Sequence, residues 1–371
     1  MRWTILARCL PLALSLSLAG CPLTDDTETP GGGLTDGGLP VTGWALRPHP
    51  CPGRTTEALH AGEDGQIYVG CGTGAEGTGL WRTENLGVTW APVPGLEDWR
   101  VNDVDPAPDG GLFVAGIHTT SRAVVTHLGA DGRLSTVYER GVVVSSSFHV
   151  GHFGRLASGV ALAESLTGTP VVHRDRDDVL FQPLDVWSSD AVSHQILAMV
   201  EDDEAFYAVG STITEPPLIF LPTGSGQTGV PLFTPVAPLP QVQGELWGLA
   251  VDGGRLLAVG VDQDADRGVV LVGPTDGFNP QAWAAPDVAA LVEGSSWFRG
   301  ACIRGDHLVV LGESQPWRRG GGLVFESFDG GETWTPAAPE SEAQAWHRCE
   351  IRPDGTLILA GVNGSFAVRA P

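Results

Sequence analysis

The segment HLVVLG at residues 307–312 is a short apolar stretch that ends in glycine, and similar segments recur along the chain. Each copy is typical of a β-strand, because apolar and β-branched residues fit a buried sheet and glycine punctuates strands. Helical periodicity is nearly absent. We identify seven copies, GQIYVG (65–70), GLFVAG (111–116), RLASG (155–159), AFYAVG (205–210), RLLAVG (255–260), HLVVLG (307–312) and TLILAG (356–361).

The spacing of the copies indicates the architecture. Successive closing glycines are 43 to 52 residues apart, which is the length of one four-stranded blade of a β-propeller. Seven copies predict an all-β fold, a seven-bladed β-propeller. The WD40 and kelch types of propeller are disfavoured, because the chain has no Trp-Asp dipeptide and its repeats lack the internal Gly-Gly of kelch blades.

The chain ends where the third strand of the last blade is expected, at residues 365–369. An open ring would leave unpaired strand edges. The segment WALRP at 44–48 resembles the outer-strand segments WAP (90–92), WAAP (283–286) and WTP (334–336). We therefore expect an N-terminal strand within residues 42–48 to complete the last blade.

Two segments match the pattern S-x-D-x-G-x-T-W, SFDGGETW at 327–334 in full and TENLGVTW at 83–90 in a relaxed form. A short hydroxyl and an Asp or Asn can hydrogen-bond the backbone of a turn, glycine accepts a positive φ, and tryptophan buries a large face. The residues concerned are Thr83, Asn85, Gly87, Trp90, Ser327, Asp329, Gly331 and Trp334.

On these two segments the chain resembles the Asp-box (BNR-repeat) propellers, a group that includes sialidases, sortilin-type receptors and photosystem II assembly factor-like proteins. The resemblance covers residues 42–370 and implies a propeller fold, but fold alone does not imply function. It also implies that the boxes lie on the outer rim, away from any active site. Asp329 and Asn85 are accordingly expected to be structural.

The N-terminus looks like a bacterial lipoprotein signal. Arg2 and Arg8 form a positive region, an apolar run follows at 10–18, and LAGC at 18–21 resembles a lipobox. We expect residues 1–20 to be a signal peptide, Cys21 to carry lipid, residues 21–41 to be a flexible tether, and 42–371 to be the propeller. The alternative is an ordinary secretory signal with a chance cysteine.

This signal sequence predicts that the protein is located in the bacterial cell envelope. We expect it to be anchored to a membrane through the lipid and not to span it. Pro22 stands where an inner-membrane retention signal would have aspartate, which favours the outer membrane or the cell surface.

The composition excludes one class of partner. The chain of 371 residues has a formal net charge of -23, and all of its 21 basic side chains are arginine. Such a chain repels phosphate backbones, so we expect no nucleic-acid partner. We expect a monomer.

Cysteine usage predicts disulfides in an oxidising compartment. Once Cys9 leaves with the signal and Cys21 is lipidated, four cysteines remain, with three possible pairings. Proximity in the repeat scheme favours two bridges, Cys51–Cys71 and Cys302–Cys349.

The innermost strands of a propeller line a channel, and several of them here begin with an aromatic residue and a base. A trio of arginines could bind a carboxylate or sulfate, and tryptophans could stack a sugar or peptide ring. The alternative is that the arginines pair with blade carboxylates and the tryptophans fill the wedges between blades. The candidate ligand-binding residues are Trp99, Arg100, Trp297, Arg299, Trp346, His347 and Arg348.

Catalysis is the less favoured hypothesis. Sialidases need a tyrosine nucleophile with a glutamate partner, but Tyr68, Tyr138 and Tyr207 fall on second or fourth strands, and the Arg-Ile-Pro motif is absent. Another glycosidase would need two carboxylates across the channel. The candidates are Glu57, Asp103 and Glu350.

We expect no catalytic residues, no cofactor and no established metal site. Asp262, Asp264 and Asp266 have a spacing that calcium favours, but the twelfth position is Gly273, so they form no EF-hand loop. The sequence thus favours a non-catalytic binding or scaffold protein for a protein or glycan ligand at the channel mouth. A carbohydrate-active hydrolase or lyase is the alternative.

Overall fold

The computed structural model describes residues 43–371, except 52–53, 63, 73–76, 108, 119–121, 141–147, 153–159, 167–168, 177–178, 185–193, 202–205, 213–216, 226–230, 237–241, 315–319, 340–344 and 364. The described residues form seven antiparallel sheets. The expected signal peptide and tether, with Cys21, lie outside the described residues.

The first three sheets each have four strands in chain order. The first contains β2 (Thr56–Ala61), β3 (Ile67–Gly72), β4 (Gly77–Thr83) and β5 (Ala91–Pro92). The second contains β6 (Arg100–Pro106), β7 (Leu112–His118), β8 (Arg122–Leu128) and β9 (Leu134–Arg140). The third contains β10 (Phe148–His152), β11 (Val160–Leu166), β12 (Thr169–Arg176) and β13 (Val179–Leu184).

The next three sheets repeat this order, although the fifth has three strands and a single outer bridge between Val272 and Ala284. The fourth contains β14 (His194–Glu201), β15 (Phe206–Thr212), β16 (Leu218–Ser225) and β17 (Pro231–Val236). The fifth contains β18 (Gly244–Asp252), β19 (Arg255–Asp262) and β20 (Arg267–Pro274), followed by short 3-10 helices at Pro280–Ala282 and Val288–Leu291. The sixth contains β21 (Ser296–Arg304), β22 (His307–Ser314), β23 (Gly322–Ser327) and β24 (Thr335–Pro336).

The seventh sheet combines both ends of the described chain. Its order is β1-β27-β26-β25, built from β25 (Trp346–Ile351), β26 (Leu357–Gly361), β27 (Phe366–Arg369) and β1 (Trp44–Arg47). β1 runs antiparallel to β27, with Trp44 opposite Arg369. The Trp44 indole N–H also donates to the carbonyl of Ala337 at 2.8 Å, which links β1 to the sixth sheet.

The first strands of neighbouring sheets contact one another in a circle. β2 contacts β6, β6 contacts β10, and the series continues through β14, β18, β21 and β25 back to β2. Apolar side chains fill the spaces between successive sheets. One such cluster combines Ala58 and Leu80 of the first sheet with Val101 and Val114 of the second.

A register shift recurs in six of the seven first strands, opposite the closing glycine of the repeat. Gly312, for example, pairs with Phe298, and the next pair joins Leu311 to Gly300, so Arg299 is left over as a β-bulge. The residues left over in this way are Glu57, Asn102, Leu197, Trp247, Arg299 and His347.

The closing glycine is required because two backbones meet there. In four sheets a Cβ at this glycine would collide with a backbone carbonyl oxygen on or next to the first strand. The pairs are Gly116 with Arg100, Gly260 with Glu245, Gly312 with Trp297, and Gly361 with Ala345.

The third sheet departs from this pattern. The repeat predicted at 155–159 lies outside the described residues, and the second strand of that sheet is β11, which begins only at Val160. β11 contains no glycine, and the pairs between β10 and β11 run without a register shift. The absence of a bulge follows from the absence of the glycine that would leave room for it.

The close approach at the closing glycine yields a stability prediction. Gly312→Ala should lower the free energy of unfolding by about 1–3 kcal/mol, because the new methyl group would collide with the carbonyl of Trp297. Gly321→Ala is the control, since a Cβ there meets no atom within 4 Å. Denaturant titrations of the two variants would compare them, and equal stability would contradict this role of the glycine.

Candidate functional site

The first strands surround a cavity of about 440 Å³. Six of them contribute lining residues, namely β2, β6, β14, β18, β21 and β25. Three bulge residues, Trp247, Arg299 and His347, are among those lining residues. β-Bulges redirect side chains and are frequent beside functional sites. The end of the cavity that Trp247, Arg299 and His347 line is therefore the candidate binding site, and we call it the cavity mouth.

Trp247, Trp297 and Arg299 form what we call the indole–guanidinium platform. The Arg299 guanidinium carbon lies 3.9 Å from the ring centroid of Trp247 and 4.9 Å from that of Trp297. The two indole rings are 5.4 Å apart and tilted by 52°. Both distances from the cation are within cation–π range, so the stack orients Arg299 before any ligand arrives.

Carboxylates from the surrounding turns and strands hold each member of the platform. Glu313 accepts hydrogen bonds from Nε and Nη2 of Arg299, at 3.1 and 2.9 Å. The indole N–H of Trp247 donates to Glu245 at 2.7 Å, and that of Trp297 donates to Asp266 at 2.8 Å. Charge-assisted bonds of this kind fix side-chain positions, so the platform is preorganised.

The other two arginines of the predicted trio lie beside the first sheet and contact Glu57. Arg348 Nε donates to the Glu57 carbonyl at 2.6 Å, while Arg100 Nη2 lies 3.9 Å from the Glu57 carboxylate. The structure therefore gives Arg100 and Arg348 a shared partner and gives Arg299 a different one. The sequence left open whether these arginines pair with carboxylates of the sheets. Arg299 pairs with Glu313, and Arg100 lies within ion-pair distance of Glu57.

Two predicted ligand residues belong to the core instead. Trp346 is fully buried, and Trp99 is 8% exposed with its ring edge against His118. Burial of this extent is what the wedge-filling interpretation expects, and it leaves little of either indole for a sugar or peptide ring.

His347 lines the cavity as a neutral imidazole. Burial, together with the positive charges of Arg348 and Arg299, lowers the pKa of His347 to about 3. At neutral pH the ring can therefore accept and donate hydrogen bonds but adds no charge to the site.

Burial also changes the protonation of Glu350, which lines the same cavity. Burial raises its pKa to about 8, although a hydrogen bond from the Ala61 N–H, at 2.6 Å, and the charges of Arg352 and Arg304 oppose the increase. The carboxyl group is thus protonated at neutral pH and ties the seventh sheet to the first.

The two predicted Asp-box turns share one hydrogen-bond pattern. Ser327 Oγ donates to Asp329 at 2.7 Å and accepts the Gly331 N–H, and Thr83 stands in the same relation to Asn85 and Gly87. The equivalent glycines have φ of 99° and 81°. All of these contacts are within the turn.

The tryptophans that close these turns make different contacts. Trp334 donates to the carbonyl of Gly331 in its own turn, whereas Trp90 donates to Pro48 and packs its ring against Phe366. Trp90 therefore joins the turn of the first sheet to the N-terminal segment and to the seventh sheet.

Both predicted disulfides are present. Cys51 is bonded to Cys71, with their Cα atoms 5.7 Å apart, and Cys302 to Cys349, at 5.9 Å. The second bridge joins the first strands of two neighbouring sheets.

The aspartates of the candidate calcium loop make local bonds. Asp262 accepts the backbone N–H groups of Asp264 and Ala265, and Asp266 is bonded to Trp297. Within the described residues, no three His, Cys, Asp or Glu side chains are arranged to hold a metal ion. Across the same residues, no helix combines the length and apolar character needed to cross a membrane.

Sequence reasoning missed the carboxylates that orient the platform. Glu245 and Asp266 are distant in sequence from Arg299, and Glu313 lies on the neighbouring strand β22, directly opposite Trp297. Recognising Glu313 would have required the strand register, whose signal is the closing glycine at position 312.

Comparisons with known proteins identify the fold. No protein-family model matches the chain, and no curated protein matches it. The structure of YCF48 bound to D1 peptide has 15% identity and a TM-score of 0.61, over 90% of this chain and 98% of that one. Virginiamycin B lyase from Staphylococcus aureus has 11% identity and a TM-score of 0.61, over 88% and 99%.

A streptogramin B lyase gives similar values, 11% identity and a TM-score of 0.62 over 88% of this chain and 98% of its own. Identities this low show the fold alone. The chain is a β-propeller protein, and its neighbours include both a peptide-bound protein and lyases.

Glu350 makes stability depend on pH. Between about pH 4.5 and pH 8 the unfolded state has lost a proton that the folded state retains, so folding becomes less favourable as the pH rises. Glu350→Gln should remove this penalty and raise the free energy of unfolding at pH 8 by on the order of 3 kcal/mol, with little effect at pH 4. Denaturant titrations at both pH values, with the exposed Glu332→Gln as control, would measure it; a gain of equal size at both would refute the assignment.

Proposed function

We propose that this protein is a non-catalytic binding or scaffold protein that holds a protein or glycan ligand at the cavity mouth. The observation that carries the proposal is the indole–guanidinium platform, in which Arg299 is held against both Trp247 and Trp297. Hot spots of binding sites are enriched in tryptophan and arginine, and rigid groups lose little entropy when a ligand arrives.

The chemistry of the platform suits a ligand with an acceptor group and a flat or apolar surface. Nε and Nη2 of Arg299 donate to Glu313. Among the described residues no acceptor is found for Nη1, which can therefore donate to a carboxylate, sulfate or carbonyl oxygen of a ligand. The indole rings suit a sugar face or a peptide ring. Arg348, on the neighbouring strand β25, also lines the cavity.

Peptide binding by a neighbour in fold supports a protein ligand. The YCF48 structure is of that protein bound to D1 peptide, so a propeller with this architecture can hold a peptide. We do not propose hydrolase or lyase activity, because Glu350 is engaged with the backbone of Ala61.

We also propose that the seven sheets are the blades of one closed ring of the Asp-box type, with β1 as the outer strand of the last blade. The circle of contacts between first strands and the pairing of β1 with β27 support closure. The internal bonding of the turns at 83–90 and 327–334 supports the family. In the same proposal residues 1–20 are a signal peptide, Cys21 carries lipid, and residues 21–41 tether the propeller to the bacterial envelope.

Protease treatment of membranes from cells that make the protein would test this N-terminal organisation. The expected product is a soluble body that begins near residue 42 and retains β1, because the tether is the cleavable part. Cys21→Ser should leave the protein in the soluble fraction without protease. A released body that begins beyond residue 48, or wild-type protein that is already soluble, would contradict the proposal.

Thermal-shift measurements would test the binding function, with a panel of acidic glycans, neutral glycans and carboxylate-containing peptides. A ligand present at 100 times its Kd stabilises the folded state by about 2.7 kcal/mol. We expect this gain in the wild type and in the control Arg133→Gln, whose side chain is 89% exposed, and its loss in Trp247→Ala/Arg299→Gln.

Three outcomes would overturn the binding proposal. A shift retained by the double variant would place the ligand elsewhere, and turnover of a glycan would identify an enzyme. No shift across the panel, with the double variant itself destabilised, would identify Arg299 as a structural residue.

A further inference from the structure

The two disulfides differ in their access to solvent. Cys51 and Cys71 are both fully buried, in a core cluster that includes Ile67 and Phe366. Cys302 and Cys349 line the central cavity, where Cys302 is 6% exposed and Cys349 is only partly buried. A small molecule that enters the cavity can therefore reach one bridge and not the other.

The accessible bridge lies directly beside the proposed binding site. Cys302 follows Arg299 by three residues on β21, and Cys349 follows Arg348 on β25. The two strands already approach closely at Gly300, where a Cβ would collide with the carbonyl of His347. The bridge thus fixes the spacing between the strands that carry Arg299 and Arg348.

We propose that Cys302–Cys349 is a thiol–disulfide exchange site for small thiols that enter the cavity, and that its redox state regulates the binding mouth. The second half of this inference rests on the proposed function. The first half depends only on the placement of the bridge in the cavity wall.

The exchange step follows ordinary thiol chemistry. The thiolate of a small thiol attacks Sγ of Cys349, the more exposed of the two residues, and forms a mixed disulfide. The Cys302–Cys349 bond breaks, and its electron pair leaves with Cys302 as a thiolate that takes a proton from water. A second small thiol attacks the mixed disulfide at the sulfur of the first and releases Cys349, so the net reaction yields two protein thiols and one oxidised small-molecule disulfide.

Two arginines near the bridge favour this reaction, although the carboxylates of Asp103, Asp105 and Asp252 also line the cavity. The cavity lining next to the bridge includes Arg304, two residues after Cys302, and Arg348, next to Cys349. Positive guanidinium groups attract an incoming thiolate and stabilise the thiolate that leaves. Cys302 also remains close to the mixed disulfide, so the bridge can re-form when the small thiol is removed.

Differential alkylation of the folded, full-length protein tests the exchange site. The protein would be incubated with cysteine or glutathione under native conditions, alkylated at intervals, and analysed by peptide mass spectrometry. Cys302 and Cys349 should be labelled at least about tenfold faster than Cys51 and Cys71, whose reduction requires local opening. Equal rates, faster labelling of Cys51 and Cys71, or labelling only after denaturation would overturn the proposal.

Hydrogen exchange tests whether the bridge holds the strands of the cavity mouth in place. It needs no ligand, so its outcome does not depend on whether the proposed function is correct. In the reduced wild type and in Cys302→Ser/Cys349→Ser, we expect faster amide exchange in residues 296–304 and 346–351 than in the oxidised protein. Residues 100–106 serve as the internal reference.

The variant Cys51→Ser/Cys71→Ser is the matched control, and it should leave exchange in 296–304 unchanged. If the other double variant does not fold, reduction of the wild type gives the same comparison. Unchanged exchange in both segments on reduction would show that the bridge does not control the strands of the mouth.

Discussion

The architecture depends on one steric constraint, the close approach of the second strand of a sheet to its first strand at the closing glycine. At four such positions a side chain would collide with the carbonyl of the opposing backbone. The glycine allows the first strand to carry an extra residue, and in six sheets the extra residue is found. The same glycines that mark the repeat therefore create the bulges that form the candidate site.

The bulges give the repeated sheets a varied surface at the candidate site, because the residues at these positions differ. Trp247 and Arg299 form most of the platform, His347 adds a neutral ring, and Glu57 becomes a partner of arginines from both neighbouring sheets. A chain with a net charge of -23 has many carboxylates to hold its arginines. As a result, the cations of the mouth are held at defined positions by internal partners before they meet a ligand.

The seventh sheet, where the two ends of the described chain meet, is joined to the first sheet by several specific contacts. Glu350 and Arg348 of β25 bind the backbone of β2, and Trp90 reaches Pro48 and Phe366. The Cys51–Cys71 bridge is buried in the same cluster. Within the seventh sheet β1 and β27 are joined by strand pairing and not by a connecting loop, so these side-chain contacts add to the pairing that holds the two ends together.

The repeat of apolar segments with a closing glycine was sufficient to predict an all-β propeller, because that pattern is local and recurs every 43 to 52 residues. Both disulfides followed from the same repeat scheme, since Cys302 and Cys349 lie on neighbouring first strands and Cys51 and Cys71 flank the first hairpin. The site was only partly accessible from the sequence. The sequence placed Trp346 and Trp297 at equivalent positions of the repeat, and likewise Arg100 and Arg299. In the structure Trp346 is buried, and the two arginines contact different carboxylates, Glu57 and Glu313. Only the tertiary structure decides which face a side chain takes after a bulge and which distant carboxylate reaches it, because both depend on strand register and on contacts between sheets.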